Sequence, residues 1–319
     1  MKTPALAFGA ALLLFAANFS LLAQEKDATP SAPVSNLPED PFKNLETVPE
    51  AKAYALEVDR TRGTISVDAK DGEYLEGSHF ANWKWTMKAP RWGRYFVKLR
   101  YTSTMPKLGV QVKLGDEVVK SYAPRTGGHE DHKIYSLTMG YVYIPKAGEF
   151  PLNLLTGDKS KGPAFFVKGI DFVPAPESDE VAQGIDGSIE LPAGAAATFS
   201  ENMRFEPKTE KNCLGFWTNA DDWAEWVFDV SDPGKFRINV VQGCGAGNGG
   251  SEVAVLVNDS TYKFEVEDTG GFQNWKTVSL GVVNLEHPGE HKVAIKPLTK
   301  SGKAVMDVQK VILTPVREG

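Results

Sequence analysis

The residues of this chain best suited to holding a ligand are aromatics set beside amides and carboxylates in its C-terminal third. Trp217 falls in Gly215-Phe216-Trp217-Thr218-Asn219, Trp223 follows Asp221-Asp222, and Trp275 follows Gln273-Asn274. A flat ring packs on the C–H face of a sugar while neighbouring polar groups take the hydroxyls. Trp217, Trp223 and Trp275 are therefore stacking candidates. Asn219, Asp222, Gln242, Asn248, Glu252 and Gln273 are the matching hydrogen-bonding candidates. The competing reading for each ring is packing in a core or against a neighbouring domain.

Other chemistries have less behind them. The run from Gln242 to Glu252 is glycine-rich, but a phosphate-cradling loop needs a helix directly after it, and Val253-Ala254-Val255-Leu256-Val257 reads as a strand. His129-Glu130-Asp131-His132 offers four metal-ligand types on a loop rather than on the helix a zincin requires, so a solvated loop is expected. Asp221, Asp222, Glu225, Asp268 and Asp307 are the acids from which a glycosidase pair would be drawn, yet nothing in their spacing fixes a separation. Asp307 has a structural reading and, as a hard oxygen donor, a calcium reading. Cys213 and Cys244 are a candidate disulfide in an oxidising compartment, or two buried small hydrophobes.

The rest of the chain must position these residues. Of 319 residues 42% are hydrophobic and 24% charged, a globular composition, and a formal net charge of −6 without a basic block argues against a nucleic-acid partner. Residues 1–23 read as a secretory signal peptide: Lys2, an apolar stretch, then Ala23 at the cleavage position. A retained membrane anchor is the alternative, and no other membrane contact is expected. The location implied is secreted or periplasmic. Residues 24–50, punctuated by Pro30, Pro33, Pro38, Pro41 and Pro49, read as a disordered linker.

Beyond residue 50 short alternating runs are bounded by Gly, Pro, Asn and Asp, which predicts antiparallel sandwiches. The pattern occurs twice. Thr126-Gly127-Gly128 recurs as Thr269-Gly270-Gly271, and in each copy four residues separate the glycines from a lysine, Lys133 or Lys276. The turn dipeptide Gly115-Asp116 matches Asn258-Asp259, and Trp85 with Gly93-Arg94-Tyr95 matches Trp226 with Gly234-Lys235-Phe236. The prediction is an all-β chain of two tandem sandwiches, 51–175 and 184–316, of jelly-roll type. Trp85, Met87 and Ala89, like Trp226, Phe228 and Val230, share the inward phase; Trp223 takes the outward one.

Asn212 to Trp223, Gln242-Gly243-Cys244-Gly245, Gly249 to Val253, Val266 to Gly270 and Ala304-Val305-Met306-Asp307 together resemble a known module. It is the carbohydrate-binding-module-like, galactose-binding-like β-sandwich appended to secreted bacterial sulfatases and α-L-fucosidases. The resemblance covers most of the second unit. It implies a non-catalytic, glycan-directed role, a structural calcium ion, and a separate secreted sulfatase or glycosidase as partner. The expectation is thus a secreted protein binding a polysaccharide or glycan mainly through the second unit. The alternatives are a cell-envelope protein-interaction module and a glycan-active hydrolase.

Overall fold

The structure, a computed structural model, describes residues 56–75, 82–127, 133–157 and 164–316. The predicted signal peptide, the linker and the His129–His132 run lie outside the described residues.

The first sandwich is built from β1 (Ile65–Asp68), β2 (Glu73–Tyr74), β3 (Trp83–Ala89), β4 (Gly93–Ser103), β5 (Lys107–Leu114), β6 (Glu117–Pro124), β7 (Tyr135–Ile144), β8 (Gly148–Thr156) and β9 (Phe165–Pro174). They form two antiparallel sheets ordered β1-β9-β4-β7 and β2-β3-β8-β5-β6. The second sandwich takes β10 (Val181–Ala182), β11 (Ile189–Pro192), β12 (Ala197–Phe199), β13 (Arg204–Glu206), β14 (Cys213–Gly215), β15 (Trp223–Val230), β16 (Gly234–Cys244), β17 (Glu252–Val257), β18 (Ser260–Glu265), β19 (Gly271–Leu285), β20 (Gly289–Pro297) and β21 (Asp307–Pro315). Its sheets run β10-β15-β20-β17-β18, with β12 also on β15, and β13-β14-β21-β16-β19, with β11 also on β21. Helical structure among the described residues is confined to two short 3₁₀ turns, Ala69–Asp71 and Ala193–Ala195.

Period-2 alternation explains both cores. On β3, Trp85, Met87 and Ala89 are buried while Lys84, Thr86 and Lys88 face water. On β15, Trp226, Phe228 and Val230 fill the same phase. Each inward tryptophan also satisfies its indole N–H. Trp85 Nε1 donates to the Asp68 carbonyl at 2.9 Å and Trp226 Nε1 to the Pro192 carbonyl at 2.7 Å, in each unit just ahead of the 3₁₀ turn. The duplication extends to irregularities. Both long central strands carry a bulge against their neighbour, between Val97 and Lys98 on β4 and between Ile238 and Asn239 on β16. A glycine, Gly140 or Gly281, stands opposite in each case. The tight turns hold positive φ at Gly115 (57°) and Asn258 (49°), as the turn dipeptides require.

The two sandwiches are docked against one another. Arg91, only 2% exposed, reaches from the β3–β4 turn into the second unit. Its Nη2 donates to the carbonyl and hydroxyl oxygens of Thr198 at 2.7 and 2.9 Å, and its Nε to the Ser200 carbonyl at 3.5 Å. Residues 57–62, expected to belong to the first unit, run across the second. Arg60 makes a bidentate pair with Glu225 (2.9 and 2.7 Å), and Arg62 Nε meets Asp222 Oδ1 at 2.7 Å. Gly63 allows the closest approach: a Cβ there would fall 2.6 Å from the Ser200 carbonyl oxygen. A small apolar cluster of Phe199, Trp223 and Ala294, joined by Val58 and Val173, closes the seam.

Removing the Arg91 guanidinium strands buried carbonyls without donors, at a cost of about 2–4 kcal/mol. Arg91→Ala should therefore lower the urea midpoint followed by tryptophan fluorescence and separate the unfolding of the two sandwiches. A single transition at the wild-type midpoint would show that the seam contributes no stability.

Candidate functional site

Side chains on β16 and β21 alternate between the core and the outer face of their sheet. Phe236, Ile238 and Val240 of β16 and Val308, Val311 and Leu313 of β21 point inward. Asp307 pairs with Gly243 in the opposite phase, so both lie on the outer face. A transverse row forms at this end of the sheet: Glu206 on β13, Cys213 and Gly215 on β14, Asp307 on β21, Gly243 on β16, then Gln273 and Trp275 on β19.

Two glycines give the row its shape. A Cβ on Gly243 would sit 3.2 Å from Trp275 Cε3, so the indole packs directly over the Gly243 backbone. A Cβ on Gly215 would strike the Glu206 carboxylate and lie 3.4 Å from Asp307 Oδ1. Between these points the polar groups converge. Gln273 Nε2 donates to Asp307 Oδ2 at 3.1 Å, Cys213 Sγ lies 3.5 Å from the same oxygen, and Lys211 Nζ donates to Glu206 Oε1 at 2.6 Å. The far end is aromatic. Phe216, 43% exposed and held at φ 58°, packs against the Arg204 guanidinium at 3.6 Å, and Trp92 of the first sandwich meets the same guanidinium at 3.8 Å and Phe216 edge-to-face at 5.8 Å. Trp92 Nε1 also donates to the Phe205 carbonyl at 3.2 Å, tying β13 to the first unit.

The electrostatics follow from burial. Asp307 is 5% exposed, and this desolvation, with the Glu206 carboxylate adding to it, pushes its pKa up to about 7. The Cys213 thiol is raised by burial and by Asp307, so it stays protonated and is no nucleophile. Lys211 is raised by its hydrogen bond to Glu206. Glu206, Cys213 and Asp307 bring three ligand atoms within 4.8 Å of one another. Calcium takes six to eight oxygens. Here the neighbours of the two carboxylates are an S–H, an amide N–H and an ammonium, a donor set that suits carboxyl oxygens and not a calcium ion. The row therefore presents hydrogen-bond donors and acceptors side by side, between rings at its two ends.

Of the sequence-predicted residues, Gln273, Trp275, Asp307 and Cys213 belong to this row, and the other ligand candidates are placed elsewhere. Trp217 is fully buried in the second core, its Nε1 donating to the Asp222 carbonyl at 3.1 Å. Trp223 takes the expected outward phase, but residues 57–62 and Phe199 cover it. Its Nε1 donates to the Asp59 carbonyl, and Phe199 stacks on it at 4.2 Å. Asp222 is buried under Arg62, and Asn219 caps a turn through Oδ1 to the Asp221 N–H. Gln242 points inward at the end of the sandwich and donates to the Glu267 carbonyl, while Glu252 pairs with Lys263 at 3.1 Å. Asn248 fastens the glycine-rich loop, accepting from the Lys303 and Ala304 N–H groups. Cys213 and Cys244 are both free and buried. β21 lies between β14 and β16, so the two cysteine backbones stand at least two strand spacings apart, about 9.5 Å. That exceeds the ~7 Å a disulfide spans, and the candidate bridge is not formed. Glu206, Lys211 and Phe216 complete the row without having been singled out in the sequence.

A family model described as a domain of unknown function (DUF5077) matches residues 193–317, the second sandwich from the turn after β11 onward. No curated protein matches the chain. Among solved structures the chain is similar to a Paenibacillus xanthan lyase, at 14% identity and TM-score 0.32, covering 85% of this chain and 27% of that one. It is similar to the C-terminal CBM6 of a marine laminarinase from Zobellia galactanivorans, at 19% identity and TM-score 0.32, covering 40% of this chain and 98% of that one. A family 35 carbohydrate binding module from Clostridium thermocellum aligns at 15% identity and TM-score 0.34, over 40% of this chain and 98% of that one.

Because Asp307 holds its proton more tightly folded than unfolded, the unfolded chain releases it first as pH rises. The stability tied to its protonation is complete below about pH 4 and is lost as pH climbs to about 7. A shift of this size is worth on the order of 4 kcal/mol. Urea unfolding of the wild type between pH 4.5 and about 8 should show that decline and Asp307→Asn should flatten it, with added calcium changing neither curve. Identical slopes in the two proteins, or a calcium-dependent rise in stability, would contradict this account.

Proposed function

We propose that the protein is a secreted, non-catalytic carbohydrate-binding protein. It recognises a polysaccharide through the outer face of the second sandwich, alongside a separate secreted sulfatase or glycosidase. The observation that carries the reading is Trp275 packed over the Gly243 backbone beside the Gln273–Asp307 pair. Trp275 offers the apolar contact a pyranose ring takes. Gln273, exposed beside Trp275, offers its amide to the hydroxyls, and the buried Asp307 fixes that amide in place.

The same geometry favours binding over hydrolysis. The Glu206 and Asp307 ligand oxygens lie within 4.8 Å of each other with Cys213 among them, and Lys211 holds Glu206. Carboxylates that flank a glycosidic bond need the sugar between them, and here Asp307 is 5% exposed with the Cys213 thiol against it.

Trp275→Ala should weaken binding to the recognised polysaccharide at least about tenfold, 1.4 kcal/mol, while leaving the unfolding midpoint within error. Trp217→Ala serves as the contrasting variant. Its ring is core, so its loss should cost about 3–5 kcal/mol of stability. A glycan array of the full chain identifies the ligand, and calorimetric titration of each variant measures it, with calcium and with chelator. Unchanged affinity in folded Trp275→Ala overturns this site. A blank array with folded protein overturns the carbohydrate reading in favour of a protein partner.

A further inference from the structure

Between the two sandwiches runs a groove of about 810 Å³. One wall is the outer face of the β1-β9-β4-β7 sheet, where Phe96 stands opposite Tyr141 on neighbouring strands and Lys98 follows on β4. The other wall is the outer face of β15, with Val227 and Asp229. Tyr141 is 52% exposed and Val227 41%, both large apolar surfaces left open at the groove.

Three details of this groove go beyond what packing two sandwiches requires. First, Asp229 and Glu290 face each other directly across the β15–β20 ladder, a like-charge pair that destabilises a sheet. Lys292 approaches Glu290 at only 3.6 Å and half-exposed, so it offsets little of this. Second, Arg94 lies over the Tyr141 ring at 3.3 Å, fixing the ring at the groove wall, and its buried Nε has no hydrogen-bond partner. Third, the bases Arg94 and Lys98 stand on the first wall and Asp229 and Glu290 on the second, where Glu225 is already paired with Arg60, while the connector between the sandwiches adds Asp179 and Glu180 to the lining.

We propose that this groove is a second saccharide-binding surface and that its occupant is a segment of neutral polysaccharide. A hydroxyl donates and accepts at once, so a polyol can satisfy a donor wall and an acceptor wall together. An acidic polymer meets Asp229 and Glu290, and a cationic one meets Arg94 and Lys98. Phe96 and the face of Tyr141 turned away from Arg94 supply the rings that pack on the C–H faces. The volume lies within the ~300–1,000 Å³ of ordinary ligand clefts, enough for a short oligosaccharide stretch. The Arg91 seam fixes both walls, so little ordering is needed on binding. The inference rests on the carbohydrate reading and adds a surface that the first sandwich supplies.

The test titrates the full chain with a soluble neutral galactomannan and a neutral β-glucan, and with alginate as an acidic comparison. Four proteins are compared: wild type, Tyr141→Ala, Tyr141→Phe and Trp275→Ala. Tyr141 is half exposed, so Tyr141→Ala should keep the wild-type unfolding midpoint. Expected is a tenfold or greater loss of neutral-polysaccharide affinity in Tyr141→Ala, and recovery to within about threefold in Tyr141→Phe, which restores the ring. Asp229→Lys, which converts the acceptor wall, should give a similar loss. If Tyr141→Ala and Asp229→Lys bind as wild type while Trp275→Ala does not, the groove is overturned and the second-sandwich face stands. If only the groove variants lose binding, the groove stands and the face is overturned. Binding confined to alginate overturns the groove, and binding to none of the three overturns it together with the carbohydrate reading for these polymers.

Discussion

A buried guanidinium at the seam constrains everything else in this molecule. Arg91 is almost wholly removed from water, and its partners in the second sandwich are the Thr198 hydroxyl and the main-chain carbonyls of Thr198 and Ser200. An ion in that position is tolerated only while its hydrogen bonds are made. Separating the sandwiches would break them and expose the Phe199–Trp223–Ala294 cluster in the same step. Gly63 belongs to the same constraint, because its approach to Ser200 leaves no room for a side chain. The tandem units are thus one docked body.

That docking decides which polar and aromatic groups of the second sandwich remain available. Trp223, Asp222 and Glu225 have the chemistry of a sugar site, and each is taken by the segment from Asp59 to Arg62. The sheet on the opposite side of that core lies clear of the segment, so Trp275, Gln273 and Asp307 keep their outward positions. The first unit still reaches that side where Trp92 packs on Arg204 and edge-on to Phe216 and holds the Phe205 carbonyl. Phe205 precedes Glu206 on β13, so a first-sandwich residue helps set the strand that carries one of the two clustered carboxylates.

Much of the architecture was legible because it is written in local periodicity. The inward phases of Trp85 and Trp226 follow from alternation alone, and so do the turns at Gly115-Asp116 and Asn258-Asp259. The site was legible only in part. Trp217, Trp223 and Trp275 all sit beside polar residues, and the sequence offers the same signal for each. What separates them is long-range. The segment that covers Trp223 lies 164 positions earlier in the chain. Trp275 stays outward because Gly243, on a different strand, leaves it a seat. Phe216 lies within the predicted segment and Glu206 ahead of it, and neither gave a periodic signal. Glu206 lies on a three-residue strand, and Phe216, at positive φ, meets an Arg204 guanidinium twelve positions earlier in the chain.

The rigid seam also bears on how a long ligand would be held. A chain touching both the second-sandwich face and the inter-sandwich groove gains from the second contact only if the two surfaces have a fixed spacing the ligand can span. A flexible tandem would have to order its domains on each binding event and would lose part of that gain. Here the ordering is done by Arg91, by the Arg60 and Arg62 ion pairs and by Trp223, all within the folded protein. Residues read in the sequence as ligand contacts therefore serve the docking of the two sandwiches. Asp222 and Trp223 hold the geometry within which the exposed Tyr141 and the half-buried Trp275 are placed.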